Sequence, residues 1–325
     1  MPAMQALRRL PALAALCAAA SLVTAGAASA AAPVATTGAA SSISSGGAIV
    51  AGTVDPNAER TTYYFEYGTT RRYGSRTPDA NAGAGADPRR VTARLGGLRP
   101  NTVYHVRLVA SNPSGVRSGA NRQFRTRPQP LGLQIVAAPN PVTFNFASTI
   151  TGQLTGTGNA GRAVQLQTRP FPYTAAFQNV GNAVVTDANG AFAFPLLAVP
   201  ATAQYRVQTV QEPRVTSPVL VLGVAVRVKT NVSTTRPRRG RRVRFSGTIR
   251  PARPGALFAI QKQNSRGGWS TIAGGITRTG GATFSGFSKR VRVRRGGAYR
   301  VFVSIVDGNL VSGIGRTVTL RTRRR

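Results

Sequence analysis

The sequence predicts an all-β chain: three β-sandwiches in tandem behind an N-terminal targeting segment. Three observations point there. Short runs rich in Val, Thr, Tyr and Phe alternate apolar with polar residues between clusters of Gly, Pro and Asn, and no sustained helical period follows residue 30. The 325 residues, less that segment, leave about 295, or three units near the ~100 residues of a seven-stranded sandwich. The last two units also repeat one another. Gly152 aligns with Gly247, Phe177 with Trp269, Phe192 with Phe284, and Tyr205-Arg206-Val207 with Tyr299-Arg300-Val301; the interval from aromatic to Phe is 15 residues in both.

Residues 1–30 read as a helical secretory signal peptide. Arg8 and Arg9 supply the positive start, residues 10–27 are apolar, and Ala28-Ser29-Ala30 fits the small-x-small cleavage pattern. Cys17, the one cysteine, lies inside the apolar run. Leu16 and Ala14 reverse the order that a lipoprotein signal places before its Cys, so the thiol is expected to leave with the signal. The mature chain then has no cysteine, and core packing alone must hold its domains. No later stretch approaches 18 consecutive apolar residues, so no membrane span is expected after cleavage.

The chemical inventory is narrow. There are 43 Lys+Arg against 8 Asp+Glu, a formal charge of +35, and one histidine, His105. Only three of the basic residues are Lys. Metal sites of several His or Cys and Ser-His-Asp triads need residues this chain lacks. There is no P-loop or dinucleotide fingerprint, and no carboxylate pair with glycosidase spacing. The expectation is therefore no enzyme, no cofactor and no metal.

The first unit, 33–127, carries the most specific motif: Leu98-Arg99-Pro100-Asn101-Thr102-Val103-Tyr104, followed by the strand-like residues 106–112 and Gly115. Upstream, residues 52–56 and 62–68 read as the second and third strands, B and C. This unit resembles a fibronectin type III domain. The resemblance implies that Tyr104 is a structural corner, its hydroxyl bonded to backbone upstream. It also resembles versions of this domain in secreted bacterial proteins, actinobacterial ones in particular, which suits the Arg- and Ala-heavy usage. The second and third units, 132–222 and 223–325, resemble bacterial immunoglobulin-like repeats. Boundaries are expected in the Pro-containing residues 125–130 and at residues 222–226, the latter a strand-like junction rather than a flexible linker.

Aromatics Tyr63, Phe65 and Tyr67 share one face at period two and are read as core in preference to a sugar-stacking platform; Tyr64 and Tyr73 are the expected exposed aromatics. His105 falls on the solvent side. Asp55, Asp187 and Asp307 sit in Asx-type turns, and Asp187-Ala188-Asn189-Gly190 lacks the further acids of a calcium loop.

The charge is uneven. Residues 223–325 hold 24 Lys+Arg and one acid, whereas 132–222 hold four Arg and two acids. Alternation in residues 226–229, 241–245 and 290–294 turns Val and Phe inward and the basic residues outward. In immunoglobulin topology these segments are strands A, B and E of one sheet. Arg227, Lys229, Arg242, Arg244, Arg290, Arg292 and Arg294 would then share a solvent face. The sister repeat is aligned there with Ala147, Thr149, Leu196 and Ala198 in place of Arg242, Arg244, Arg290 and Arg292. Two readings stay open: a polyanion-binding face, or the solvated side of amphipathic strands. For the whole chain the expectation is a secreted or envelope-associated, non-enzymatic binding or spacer module of adhesion type. Its partner would be an unidentified protein or an anionic envelope polymer. The alternatives are a binder of acidic polysaccharide or non-specific nucleic acid through the third unit, or an accessory subunit of an envelope enzyme.

Overall fold

The computed structural model describes residues 31–323, and the expected signal segment lies outside the described residues. The described chain is all-β, without helices. It divides into two compact units, Met1–Thr126 and Arg127–Arg325. The expected boundary at 222–226 lies inside the second of these.

In the first unit, strands Val34–Thr37, Gly47–Asp55 and Arg89–Gly96 form one sheet. Thr61–Gly68 and Val103–Asn112 centre the other. Period-two apolar residues of both sheets meet in the core, where Val50, Val54, Phe65 and Leu108 are fully buried. Tyr63 and Tyr67 pack against that core. Tyr104 is buried and stacks on Phe124 at 5.8 Å. Its hydroxyl accepts the Arg99 N–H at 2.9 Å, five residues upstream, so the polar tip of a buried ring is satisfied where the chain turns. The expectation that Tyr64 and Tyr73 stand exposed needs correction. Both are half-buried, because Arg76 covers the Tyr64 ring at 4.9 Å and Arg107 the Tyr73 ring at 4.7 Å.

The second unit holds two sandwiches with one continuous apolar core. In the first of them, Gly132–Ala138, Ser148–Thr155 and Ala191–Leu196 face a sheet built on Ala163–Pro170 and Ala203–Thr209. In the other, Arg227–Val232, Arg242–Arg250, Phe284–Arg292 and Arg278–Gly281 pair in that order. They face a sheet built on Leu257–Gln263 and Gly297–Ser304.

The join between the two is made of backbone. Val224 and Ala225 pair in parallel with Val142 and Thr143 on one side, and Ala225 bridges Val311 on the other. Phe144 N–H donates to Ala225 O at 2.8 Å, Val311 N–H to Val224 O at 2.8 Å, and Val226 N–H to Val311 O at 3.2 Å. No residue is left over to act as a flexible linker.

Register corrects one alignment drawn from the sequence. Gly152 lies opposite Phe192, and Gly247 lies opposite Phe287, so the counterpart of Phe192 is Phe287 rather than Phe284. A Cβ on Gly247 would collide with the carbonyl of Lys229 and meet the Phe287 ring at 2.7 Å; glycine is what lets that ring cross the strand.

Candidate polyanion-binding surface

The third sandwich presents its charge on the outer face of the sheet that begins with Arg227–Val232. Strand Arg242–Arg250 alternates strictly at its start: Val243 and Phe245 are fully buried, and Arg242 and Arg244 are exposed. The antiparallel register sets Arg242 directly opposite Arg292, and Arg244 opposite Arg290. Directly opposed residues have Cβ atoms about 4.5–5.5 Å apart, so each pair sets two guanidinium-bearing stems side by side. Arg227 and Lys229 lie on the same face, opposite Arg250 and Thr248. All seven residues named from the sequence are exposed. Six lie in these strands; Arg294 lies beyond Arg292, where the strand ends.

The seven do not form one patch. An uncharged row of Asn231, Ser246 and Ser288 crosses the sheet between them. On one side lie Arg242, Arg244, Arg290 and Arg292. On the other lie Arg227 and Lys229, joined by Arg250 and Arg278, which sequence reasoning did not single out. This second group is partly engaged within the protein. Arg227 stacks over Phe146 at 5.1 Å, and Arg250 bonds Thr283 Oγ1 at 3.1 Å. The register also revises the comparison with the sister repeat. Thr149 pairs with Pro195, so Arg290 and Arg292 correspond to Pro195 and Leu197 rather than to Leu196 and Ala198. Those positions are uncharged under either alignment.

Among the described residues, no carboxylate pairs with any of the seven. The one acid of the third sandwich, Asp307, is taken by Arg253, whose Nε donates to it at 2.8 Å. Burial by itself would raise the Asp307 carboxyl. The Leu310 and Asn309 N–H groups and the Arg253 guanidinium outweigh that and hold it below its ordinary value. Asp187 likewise accepts from the Asn189 and Ala191 N–H groups, both at 2.8 Å, and Asp55 from Asn57. These acids close their own turns. Among the described residues, no cluster of three or more His, Cys, Asp or Glu could hold a metal ion. His105 is half-buried, its Nδ1 3.1 Å from Asn121 Oδ1.

Other arginines have structural partners, which sharpens the contrast. Each sandwich has an arginine fixed by its cross-strand neighbour and by a ring, and the second has two, because Arg169 also bonds Gln204 across the strands and lies over Phe177. Arg107 Nε donates to Glu66 at 2.6 Å, Arg206 Nε to Gln167 at 2.7 Å and Arg300 Nε to Gln261 at 2.8 Å. The three guanidinium groups lie over Tyr73, Phe177 and Trp269 respectively. The sequence repeat had paired Phe177 with Trp269 without giving either a role; each is the platform of such a clamp. Arg242, Arg244 and Arg290 have neither a ring nor a side-chain acceptor among the described residues, and Arg292 bonds only the Gly240 carbonyl, at 2.9 Å.

No family model and no curated protein sequence matches the chain. Solved structures of tandem β-domains align with the chain at low identity. The FN1–FN3 domains of chicken CNTN1 share 16% identity at a TM-score of 0.30, covering 89% of this chain and 98% of that one. Domains A168–A170 of titin share 12% at 0.37, covering 89% and 99%. A tetra-tandem repeat from the extending region of a large adhesion protein shares 13% at 0.27, covering 89% and 74%.

Proposed function

We propose that this is an exported, non-enzymatic binding and spacing protein of a bacterial cell envelope or its surroundings, whose third sandwich holds an anionic polymer. The observation that carries the reading is the two pairs of opposed arginines, Arg242–Arg292 and Arg244–Arg290, exposed and without a carboxylate partner among the described residues. Like charges directly opposed across strands destabilise a sheet, and the sister sandwich keeps the same fold without them. A polyanion gives such an arrangement its use. Arg binds phosphate, sulfate and carboxylate through a planar fork and keeps its charge at any physiological pH.

Replacing Arg242, Arg244, Arg290 and Arg292 together by Thr in the whole chain tests this. For single-stranded DNA as surrogate, each lost phosphate contact removes about 0.7 from the log–log salt slope, so the slope should fall by about 3. The fold should be as stable as the parent's, or more stable. A variant with the parent's affinity and slope makes this a solvated sheet face and nothing more. Export is supported by Arg8-Arg9, the apolar run and Ala28-Ser29-Ala30. The native protein should begin near Ala31, and an intact Met1 in a cytoplasmic fraction would refute export.

A further inference from the structure

The basic group of Arg242, Arg244, Arg290 and Arg292 does not stop at the edge of its sheet. Three segments distant in sequence are tied together at that end of the third sandwich. Arg321 N–H donates to Thr235 O at 2.8 Å, and Arg323 N–H to Pro237 O at 3.0 Å, so the segment ending at 323 lies along the 235–239 loop. Arg238 and Arg323 form a parallel bridge. Gly240 N–H donates to Val293 O at 2.8 Å and Val293 N–H to Arg241 O at 2.9 Å, which attaches the end of strand Phe284–Arg292 to the same loop. Buried Pro237, Val293 and Leu320 anchor the three segments from below.

What these ties gather is arginine. The loop contributes Arg236, Arg238, Arg239 and Arg241; the strand end adds Arg294 and Arg295; the last segment adds Arg321 and Arg323. All eight are exposed, and none pairs with a carboxylate among the described residues. The anionic side chain of this sandwich, Asp307, is spent on Arg253.

We infer that this arginine-lined end is a second anion-binding surface, continuous with the sheet face, and that its ligand is a flexible acidic polysaccharide bent from the face over the end. The inference rests on the polyanion reading above and adds the site and the ligand class. Two features select the class. The charged track turns from a sheet face onto the end of a sandwich. A DNA duplex, stiff over about 150 base pairs, can lie on one of these surfaces but does not follow such a turn, whereas a flexible chain does. Among the described residues no exposed Phe, Tyr or Trp accompanies the arginines of the end, so nucleobases find no ring to stack on. The recognition left is carboxylate or sulfate against guanidinium forks.

The test uses the whole chain with heparin, single-stranded oligothymidylate and duplex DNA as probes. Arg238, Arg239, Arg295 and Arg321 are replaced together by Ser, and the Thr variant of the face is measured beside it. Their side chains have no hydrogen-bond partner among the described residues, and an unfolding midpoint matching the parent's shows that the fold is kept. The expected result is heparin binding tighter than either DNA. The end variant should lose about tenfold or more in heparin affinity near physiological salt, and its salt slope for oligothymidylate should fall by about 3. Duplex binding should depend on one surface only, so one of the two variants leaves it unchanged. An end variant that binds heparin as the parent does overturns the inference; if the face variant alone loses binding, the polyanion reading stands without it. An end variant that loses binding while the face variant does not also overturns the inference, because the polymer then does not run from the face over the end. Oligothymidylate binding more tightly than heparin, or duplex binding reduced by both variants, overturns the ligand class.

Discussion

Replacing Phe245 by Ala should destabilise the second unit by about 3–5 kcal/mol, the range for removing a large buried aromatic and leaving a cavity. Phe245 is fully buried and lies against Tyr299, with ring centroids 5.9 Å apart. The Tyr299 hydroxyl donates to Arg295 O at 2.8 Å, so that ring is held by its own tip and is not free to fill the void. The neighbouring residue gives the control. Arg244 points away from the core, and its loss removes like-charge repulsion without opening a cavity. Chemical denaturation of the two variants should therefore shift the midpoint in opposite directions, or leave it unmoved for Arg244→Thr. A change below about 1 kcal/mol for Phe245→Ala contradicts the alternation on which the basic face depends.

Heparin should raise the melting temperature of the second unit. In residues 223–325, 24 basic residues stand against one acid, and folding brings them closer than an expanded chain does. A ligand that binds the folded form adds about 2.7 kcal/mol of stability when present at a hundred times its dissociation constant. For a unit of roughly 200 residues that corresponds to about 5–10 °C. Calorimetry of the whole chain with and without heparin reads this directly. The Thr variant of the face should start from an equal or higher melting temperature and gain less. An unchanged or lowered melting temperature at saturating heparin means that the folded state does not hold the polymer.

The strands were legible in the sequence because burial on one face enforces period two, as in residues 241–245. The Tyr104 bond to Arg99 was also legible, since a specific motif surrounds it. The arginine end was not. Its residues lie in a loop, past a strand end and in the last segment, where alternation carries no information and only backbone pairing brings 235–241 beside 321–323. The shift from Phe284 to Phe287 has a similar origin. Equal spacing assumes equal connections, but the third sandwich inserts strand Arg278–Gly281 before Phe284, and the interval no longer counts residues to the same place. Arg294 was drawn onto the sheet by extending an alternation past the point where pairing stops at Arg292.

The short parallel pairing of residues 224–225 with 142–143 bears on how the second unit would respond to a pull along the chain. One strand of that pair leads back toward the start of its sandwich, and the other leads forward into the next. Tension drawn along the chain pulls the two past each other. Their hydrogen bonds run across the line of pull, so they share the strain side by side and must fail together rather than unzip one at a time. Because Val311 grips the same residues from the far side, slipping at this point also strains the following sandwich. Under tension the seam between the two folds would thus act as a mechanical rivet.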